Sequence, residues 1–160
     1  MRFIGTTDAK VDSKGRVFLP AVFRRTLAEE GASNGAQTEM KLIMRKDLFE
    51  DCLVLYPEDV WYERLDQLKQ RLSVWNHSHQ AMLRQYVKDV EWLTLDSNGR
   101  LLLSKRYLQM AGIESEVTFV GMDGTIEIWA KQKLEAQSAN QDFAMGIESI
   151  MTPDNDKSDC

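Results

Sequence analysis

A chain that carries the same tight turn twice is constrained to build two related halves. Asp12-Ser13-Lys14-Gly15-Arg16 returns 84 positions later as Asp96-Ser97-Asn98-Gly99-Arg100. The match extends beyond the turn. Leu19-Pro20-Ala21-Val22-Phe23-Arg24 follows the first copy, and Leu103-Ser104-Lys105-Arg106-Tyr107-Leu108 follows the second at the same offset. Each copy sits between an alternating apolar run and a short helix signal. In such a turn Asp accepts hydrogen bonds from the amides that follow it, and Gly at the fourth position supplies a positive φ at little cost. Turn geometry accounts for Asp12, Gly15, Asp96 and Gly99. It does not account for Arg16 and Arg100, whose planar fork at the start of a strand suits a phosphate or the O6/N7 edge of guanine.

The flanking pattern predicts the order of elements. Phe3 to Val11 reads as a strand and Arg16 to Leu19 as another, so residues 3–19 are expected to form a hairpin. Pro20 opens a helix that carries Val22, Phe23 and Leu27 on one face and that Gly31 is expected to end. A polar loop over 32–38 leads to short strands at Lys41 to Arg45 and Asp51 to Tyr56. Pro57, Glu58 and Asp59 start a helix that reaches about Leu72. After a break around Asn76-His77-Ser78, a second helix is expected over Ala81 to Val90.

The second copy repeats the first half, with a strand at Val90 to Leu95, the turn, and a strand at Arg100 to Leu103. A helix from Lys105 to Ala111 follows, ended by Gly112, then a hairpin across Met122-Asp123-Gly124. Leu53 to Tyr56 corresponds to Ile126 to Trp129 at an offset of 73, so the first half carries 11 more residues, mostly the 32–38 loop. A half this small cannot bury a core alone. The halves, 3–57 and 90–134, are therefore expected to interlock about a pseudo-twofold axis, bridged by helices over 58–89. In the remaining 135–160, Phe143, Ile147, Ile150 and Met151 fit one side of a short helix suited to a neighbouring subunit. Thr152 to Cys160 is polar and acidic, a composition that disfavours order.

Charge is distributed unevenly. The net charge is −5 overall, but residues 1–26 hold six Lys or Arg against two acids, and 96–107 hold three against one. Residues 133–160 hold two against six. Positive charge gathers around both copies of the turn, the pattern expected of a nucleic-acid contact. Arg24, Arg25, Lys105 and Arg106 are candidate phosphate contacts, or else solvated helix faces.

Other chemistry is poorly supported. His77 and His79 stand two positions apart, which points them in different directions on a helix, and no third ligand is evident. No metal or cofactor is implied. The acids form no recognisable catalytic pair, and there is no Gly-rich phosphate cradle or nucleophile elbow, so neither an enzyme nor a small-molecule substrate is expected. Trp61, Trp75, Trp92 and Trp129 read better as core or subunit-interface anchors than as base-stacking platforms. Two cysteines, Cys52 and Cys160, make no disulfide framework, and no apolar run approaches a membrane span, which favours a reduced cytoplasmic compartment and no membrane partner.

The paired D-x-x-G-R loops, Phe3-Ile4-Gly5, Leu19 to Arg24, Leu53 to Pro57, and Val120-Gly121-Met122-Asp123-Gly124-Thr125-Ile126-Glu127-Ile128-Trp129 resemble the MraZ family of bacterial transcription regulators, built from two SpoVT-AbrB-type halves. The resemblance covers about residues 1–135 in order and spacing. It implies an α+β, mainly β fold: an AbrB-like swapped-hairpin, double-psi-like β-barrel made by both halves of one chain. It also implies a homo-oligomeric ring, associated with the nucleoid, that binds double-stranded DNA. The expected targets are short G-rich direct repeats upstream of the division and cell-wall gene cluster, with repression as the expected outcome. The family's DNA-contacting loops fall on Asp12 to Arg16 and Asp96 to Arg100, which makes Lys14, Arg16, Asn98 and Arg100 the expected DNA contacts. This chain departs from the pattern at Asn98, where Lys14 is not repeated, at Ser104, which stands opposite Pro20, and in the 32–38 insertion and acidic tail. A ring-forming protein scaffold is the rival reading. An antitoxin-like regulator with one half per chain is disfavoured by the internal duplication.

Overall fold

The computed structural model describes residues 2–33, 41–137 and 142–153. Residues 34–38 of the insertion and 154–160 of the acidic tail lie outside them. In chain order the first half contributes β1 (Phe3–Lys10), β2 (Arg16–Phe18), α1 (Ala21–Ser33), β3 (Leu42–Lys46) and β4 (Leu53–Pro57). Two helices follow, α2 (Glu58–Arg71) and α3 (His77–Lys88). The second half adds β5 (Glu91–Leu93), β6 (Arg100–Leu102), α4 (Lys105–Met110), β7 (Glu116–Asp123) and β8 (Ile126–Ala130), then α5 (Lys131–Ala136) and α6 (Phe143–Met151).

The strands make a six-stranded antiparallel sheet, ordered β1-β7-β8-β4-β3-β5, and a separate two-stranded ribbon of β2 and β6. Exchanging each strand for its counterpart in the other half (β1 for β5, β3 for β7, β4 for β8) reverses the sheet order and leaves it unchanged. The fold is thus mainly β and α+β, with two pseudo-symmetric halves each supplying strands to the other. The ladders themselves give an open sheet and a ribbon.

The expected 3–19 hairpin does not form. β1 pairs along its whole length with β7, Phe3 opposite Asp123 through Lys10 opposite Glu116. β2 pairs with β6, and β5 pairs with β3 rather than with its own neighbour β6. Asp12 N–H does donate to Arg16 O at 2.9 Å, but beyond that bond the two strands diverge. The reason lies in burial. Phe3, Val17, Leu19, Phe23, Leu101, Leu103, Tyr107 and Phe119 share one core, which draws on both halves and which neither hairpin would enclose. Apolar burial of this kind stabilises by roughly 25 cal/mol per Å², enough to override a local pairing preference.

The helical bridge covers the back of β3 and β4. Alternate residues Leu42, Met44, Leu53 and Leu55 face the main core, while Ile43, Val54 and Tyr56 face Trp61 of α2. Trp61 stacks on Tyr86 of α3 with ring centroids 5.1 Å apart and planes 3° from parallel. The buried Arg45 guanidinium lies 4.7 Å from the centre of the Tyr86 ring.

Two helix ends differ from expectation. α1 runs through Gly31 to Ser33, so that glycine does not end it and the first two residues of the 32–38 loop are helical. α3 begins at His77, because Asn76 caps it by accepting from His79 N–H at 3.2 Å. Gly112 does follow α4 with φ of +64°. Among the described residues no helix is long and apolar enough to cross a membrane.

Candidate nucleic-acid interface

The two repeated turns have one construction. In the first, Asp12 Oδ1 accepts from the amides of Lys14 and Arg16, both at 2.9 Å, and Oδ2 accepts from Arg16 Nε at 2.7 Å. In the second, Asp96 Oδ1 accepts from Asn98 and Arg100 amides at 2.9 and 2.8 Å, and Oδ2 from Arg100 Nε at 2.8 Å. The Arg16 amide is the largest cause holding the Asp12 carboxyl below its ordinary value, and the Arg100 amide does the same for Asp96. Each aspartate therefore shapes its turn and also fixes the guanidinium of its own arginine. Each arginine makes that bond through Nε, so the atom that anchors it is not one of the fork's two terminal amino groups.

Gly15 and Gly99 are buried, with φ of +85° and +83°. Their carbonyls tie the turns to the opposite halves, Gly15 O accepting from Leu103 N–H at 2.8 Å and Gly99 O from Leu19 N–H at 3.1 Å. The exchange is reciprocal, so both turns are held against the ribbon.

The ribbon sets the direction of the arginines. Arg16 stands opposite Leu102 and Phe18 opposite Arg100, so all four point to one face, while Val17 and Leu101 between them point into the core. Arg16 and Arg100 are half-buried at the edge of this outward face. Lys14 and Asn98 are exposed at the turn tips. A groove of about 530 Å³ runs beside the first turn, lined by Lys14, Glu91, Trp92, Leu102, Ser104 and Lys105 among others.

The candidate phosphate contacts fare unevenly. Arg25 and Lys105 are exposed. Arg24 lies over the second turn, its Nη1 close to Gly99. Arg106 is engaged elsewhere, donating from Nη2 to Asp89 at 2.9 Å, an interaction that lowers the Asp89 pKa and raises that of Arg106. The offset of 84 relates Lys105 to Ala21 and Arg24 to Leu108, so the basic groups are not symmetry partners. The first turn, with Lys14 and Lys105, is bordered differently from the second, with Asn98 and Arg24.

Phe18 and Leu102 were absent from the sequence-based candidates, although both are large, apolar and exposed on the same face as the arginines. Strict alternation from Arg16 and from Arg100 could have placed them there. His79 serves the local structure, its Nδ1 accepting from Ser73 N–H at 2.9 Å. Among the described residues no group of three or more His, Cys, Asp or Glu is placed to hold a metal ion. Trp61 and Trp129 are buried, while Trp75 and Trp92 are exposed.

Comparison with known proteins accords with the duplication. The family model described as "MraZ protein, putative antitoxin-like" matches residues 2–85 and 91–149. A protein of Bacteroides fragilis named Transcriptional regulator MraZ is 54% identical over 152 residues, covering 94% of this chain and 92% of that protein. Its namesake in Bacteroides thetaiotaomicron is 48% identical over 156 residues (97% and 96% covered), and that of Idiomarina loihiensis is 33% identical over 150 (94% and 93%). With both turns and both halves inside the matched segments, the chain belongs to the MraZ family.

Proposed function

We propose that this chain is a sequence-specific DNA-binding transcriptional regulator, a repressor, that uses its two Asp-x-x-Gly-Arg turns. Its targets are short G-rich direct repeats upstream of the division and cell-wall gene cluster. One observation carries the reading. Two arginines, each anchored through Nε by the aspartate of its own turn, stand on a single outward face of a two-stranded ribbon. Anchoring removes much of the side-chain entropy that an arginine otherwise loses on binding, and the remaining amino groups suit the O6/N7 edge of guanine. Lys14, Arg24, Arg25 and Lys105 supply the sequence-independent grip on phosphates. Asn98, at the second tip, offers an amide where the first offers an ammonium. The names of the relatives support the regulatory part of the reading.

A single ribbon face gives only weak binding. Several copies arranged in a ring engage successive repeats along one side of the duplex and convert weak contacts into avidity. The apolar residues exposed on α6, Phe143, Met145, Ile147, Ile150 and Met151, support assembly of this kind.

The test is a salt titration of binding to DNA from upstream of the chain's own gene. Arg16→Ala and Arg100→Ala should each weaken binding, by about 1–3 kcal/mol for removal of one bidentate pair, and the double variant should lose the preference for guanine. Binding by the double variant equal to wild type would refute the assignment. Solution mass tests the ring, and a monomer would remove the avidity.

A further inference from the structure

The outward face of the ribbon holds two apolar side chains that neither the turns nor the core require. Phe18 is 55% exposed and Leu102 is 58% exposed. They occupy equivalent positions 84 residues apart, one beside each arginine. Turn geometry has no use for them, and Val17 and Leu101 already fill the inward face. We propose that Phe18 and Leu102 are specificity-determining residues that pack on the C5-methyl groups of thymines in the major groove, next to guanines read by Arg16 and Arg100. The proposal rests on the DNA-binding reading above and extends it to a second kind of base.

The geometry is that of an element the groove admits. A major groove about 12 Å wide accepts a two-stranded ribbon. Arg16 and Arg100 lie on opposite strands, two residues apart along the ladder. That is a separation of about 7 Å along the ribbon at roughly 3.4 Å per residue, close to two base-pair steps. Phe18 and Leu102 occupy the other diagonal of the same four-residue patch. The Arg100 guanidinium lies 5.8 Å from the centre of the Phe18 ring, so a base edge in reach of one is in reach of the other. Among the four bases only thymine offers an apolar group on the major-groove edge. An apolar side chain flanked by an anchored arginine therefore favours a thymine beside a guanine.

Charge selects DNA over a second copy of the chain as the occupant. Lys14 and Lys105 border the Leu102 end of the patch within one groove, and Arg24 lies over the turn at the Phe18 end. Of the carboxylates near the patch, Asp12 and Asp96 are committed to amides and guanidinium within their own turns, and Glu91, which lines the groove, stands against two lysines there. Two copies meeting through this face would bring like charges together, whereas a polyanion meets a positive border.

The test replaces every thymine in the repeats by deoxyuridine, which removes the methyl groups and leaves pairing intact. Wild type should bind the uracil duplex more weakly, by about fourfold for each methyl group that had been packed against the ribbon. Phe18→Ser combined with Leu102→Ser should bind the two duplexes alike, near the wild-type affinity for the uracil duplex, with its urea midpoint and solution mass unchanged. Equal binding of both duplexes by wild type would overturn the proposal, as would a double variant that keeps the thymine preference. A double variant that loses mass would assign the face to association between copies and overturn it too. Failure of wild type to bind either duplex would sink the DNA reading itself, an outcome distinct from binding without thymine preference.

Discussion

Alanine at Gly15 and at Gly99 is one perturbation applied to two turns that the sequence makes equivalent. Both positions are left-handed, with φ of +85° at Gly15 and +83° at Gly99, so each variant bears about 1–2 kcal/mol for placing an L side chain in that region. Their surroundings then separate them. A Cβ at Gly15 would stand 2.5 Å from Leu103 O, a backbone atom of the residue just after β6. Ordinary contact begins at 3.4 Å, so the ribbon must open by about 1 Å at the point where Leu103 N–H bonds to Gly15 O. Losing that bond adds about 1 kcal/mol. A Cβ at Gly99 would instead meet Arg24 Nη1 at 2.5 Å, the far end of a flexible side chain that can swing aside while Leu19 N–H keeps its bond to Gly99 O. Gly15→Ala should therefore cost about 3 kcal/mol and Gly99→Ala about 1.5 kcal/mol. With a urea m-value of about 2 kcal/mol per M, the midpoints should fall by roughly 1.5 M and 0.75 M. Equal shifts, or a larger shift for Gly99→Ala, would refute the idea that backbone crowds the first glycine and only a side chain crowds the second.

Further outcomes rest on the same geometry. The depressed carboxyls of Asp12 and Asp96 contribute stability that is full above their unfolded value, near pH 4, and lost as pH falls through the lower folded values. Asp12→Asn with Asp96→Asn should flatten the acid limb of a stability–pH curve, and an unchanged limb would count against the caging geometry. Lys105→Ala should reduce the magnitude of the salt slope of DNA binding by about 0.9, the loss of one phosphate neutralised. Arg106→Ala should leave that slope unchanged, because Asp89 already occupies its guanidinium. Burial pushes the Cys52 thiol far above its ordinary value. In a Cys160→Ser background it should therefore react with a thiol reagent only on unfolding, and rapid native labelling would contradict its place in the core.

How much of this was legible in the sequence depends on the range of the interaction. Asp12 and Asp96 bond to atoms two and four residues away, and the turns they make were readable from spacing. Strand positions were readable from alternation, because alternation reports which side of a strand is buried. It does not report the partner, and the 3–19 hairpin failed there: Phe3 finds its register opposite Asp123. Arg106 failed for the same reason, since its carboxylate is 17 residues away across a helix end. The second role of the aspartates, anchoring Arg16 and Arg100, needed side-chain geometry. Phe18 and Leu102 were legible in principle, but an exposed apolar residue acquires meaning only when its opposite neighbour is known to be an arginine.

The palindromic strand order also governs when the chain can fold. β1 finds its whole hydrogen-bonding edge on β7, 106 to 120 residues downstream, and β3 and β4 complete their sheet only with β5 and β8. During synthesis the first half thus emerges with its edges unmet and has to wait, incomplete, until residues as late as 130 have left the ribosome. Such long closures are slow, and an unmet edge invites pairing with a neighbouring nascent chain. Ile4, which faces solvent in the finished strand, and Lys10 at its far end are therefore residues whose effect should be felt in yield and aggregation during synthesis more than in the stability of the finished protein.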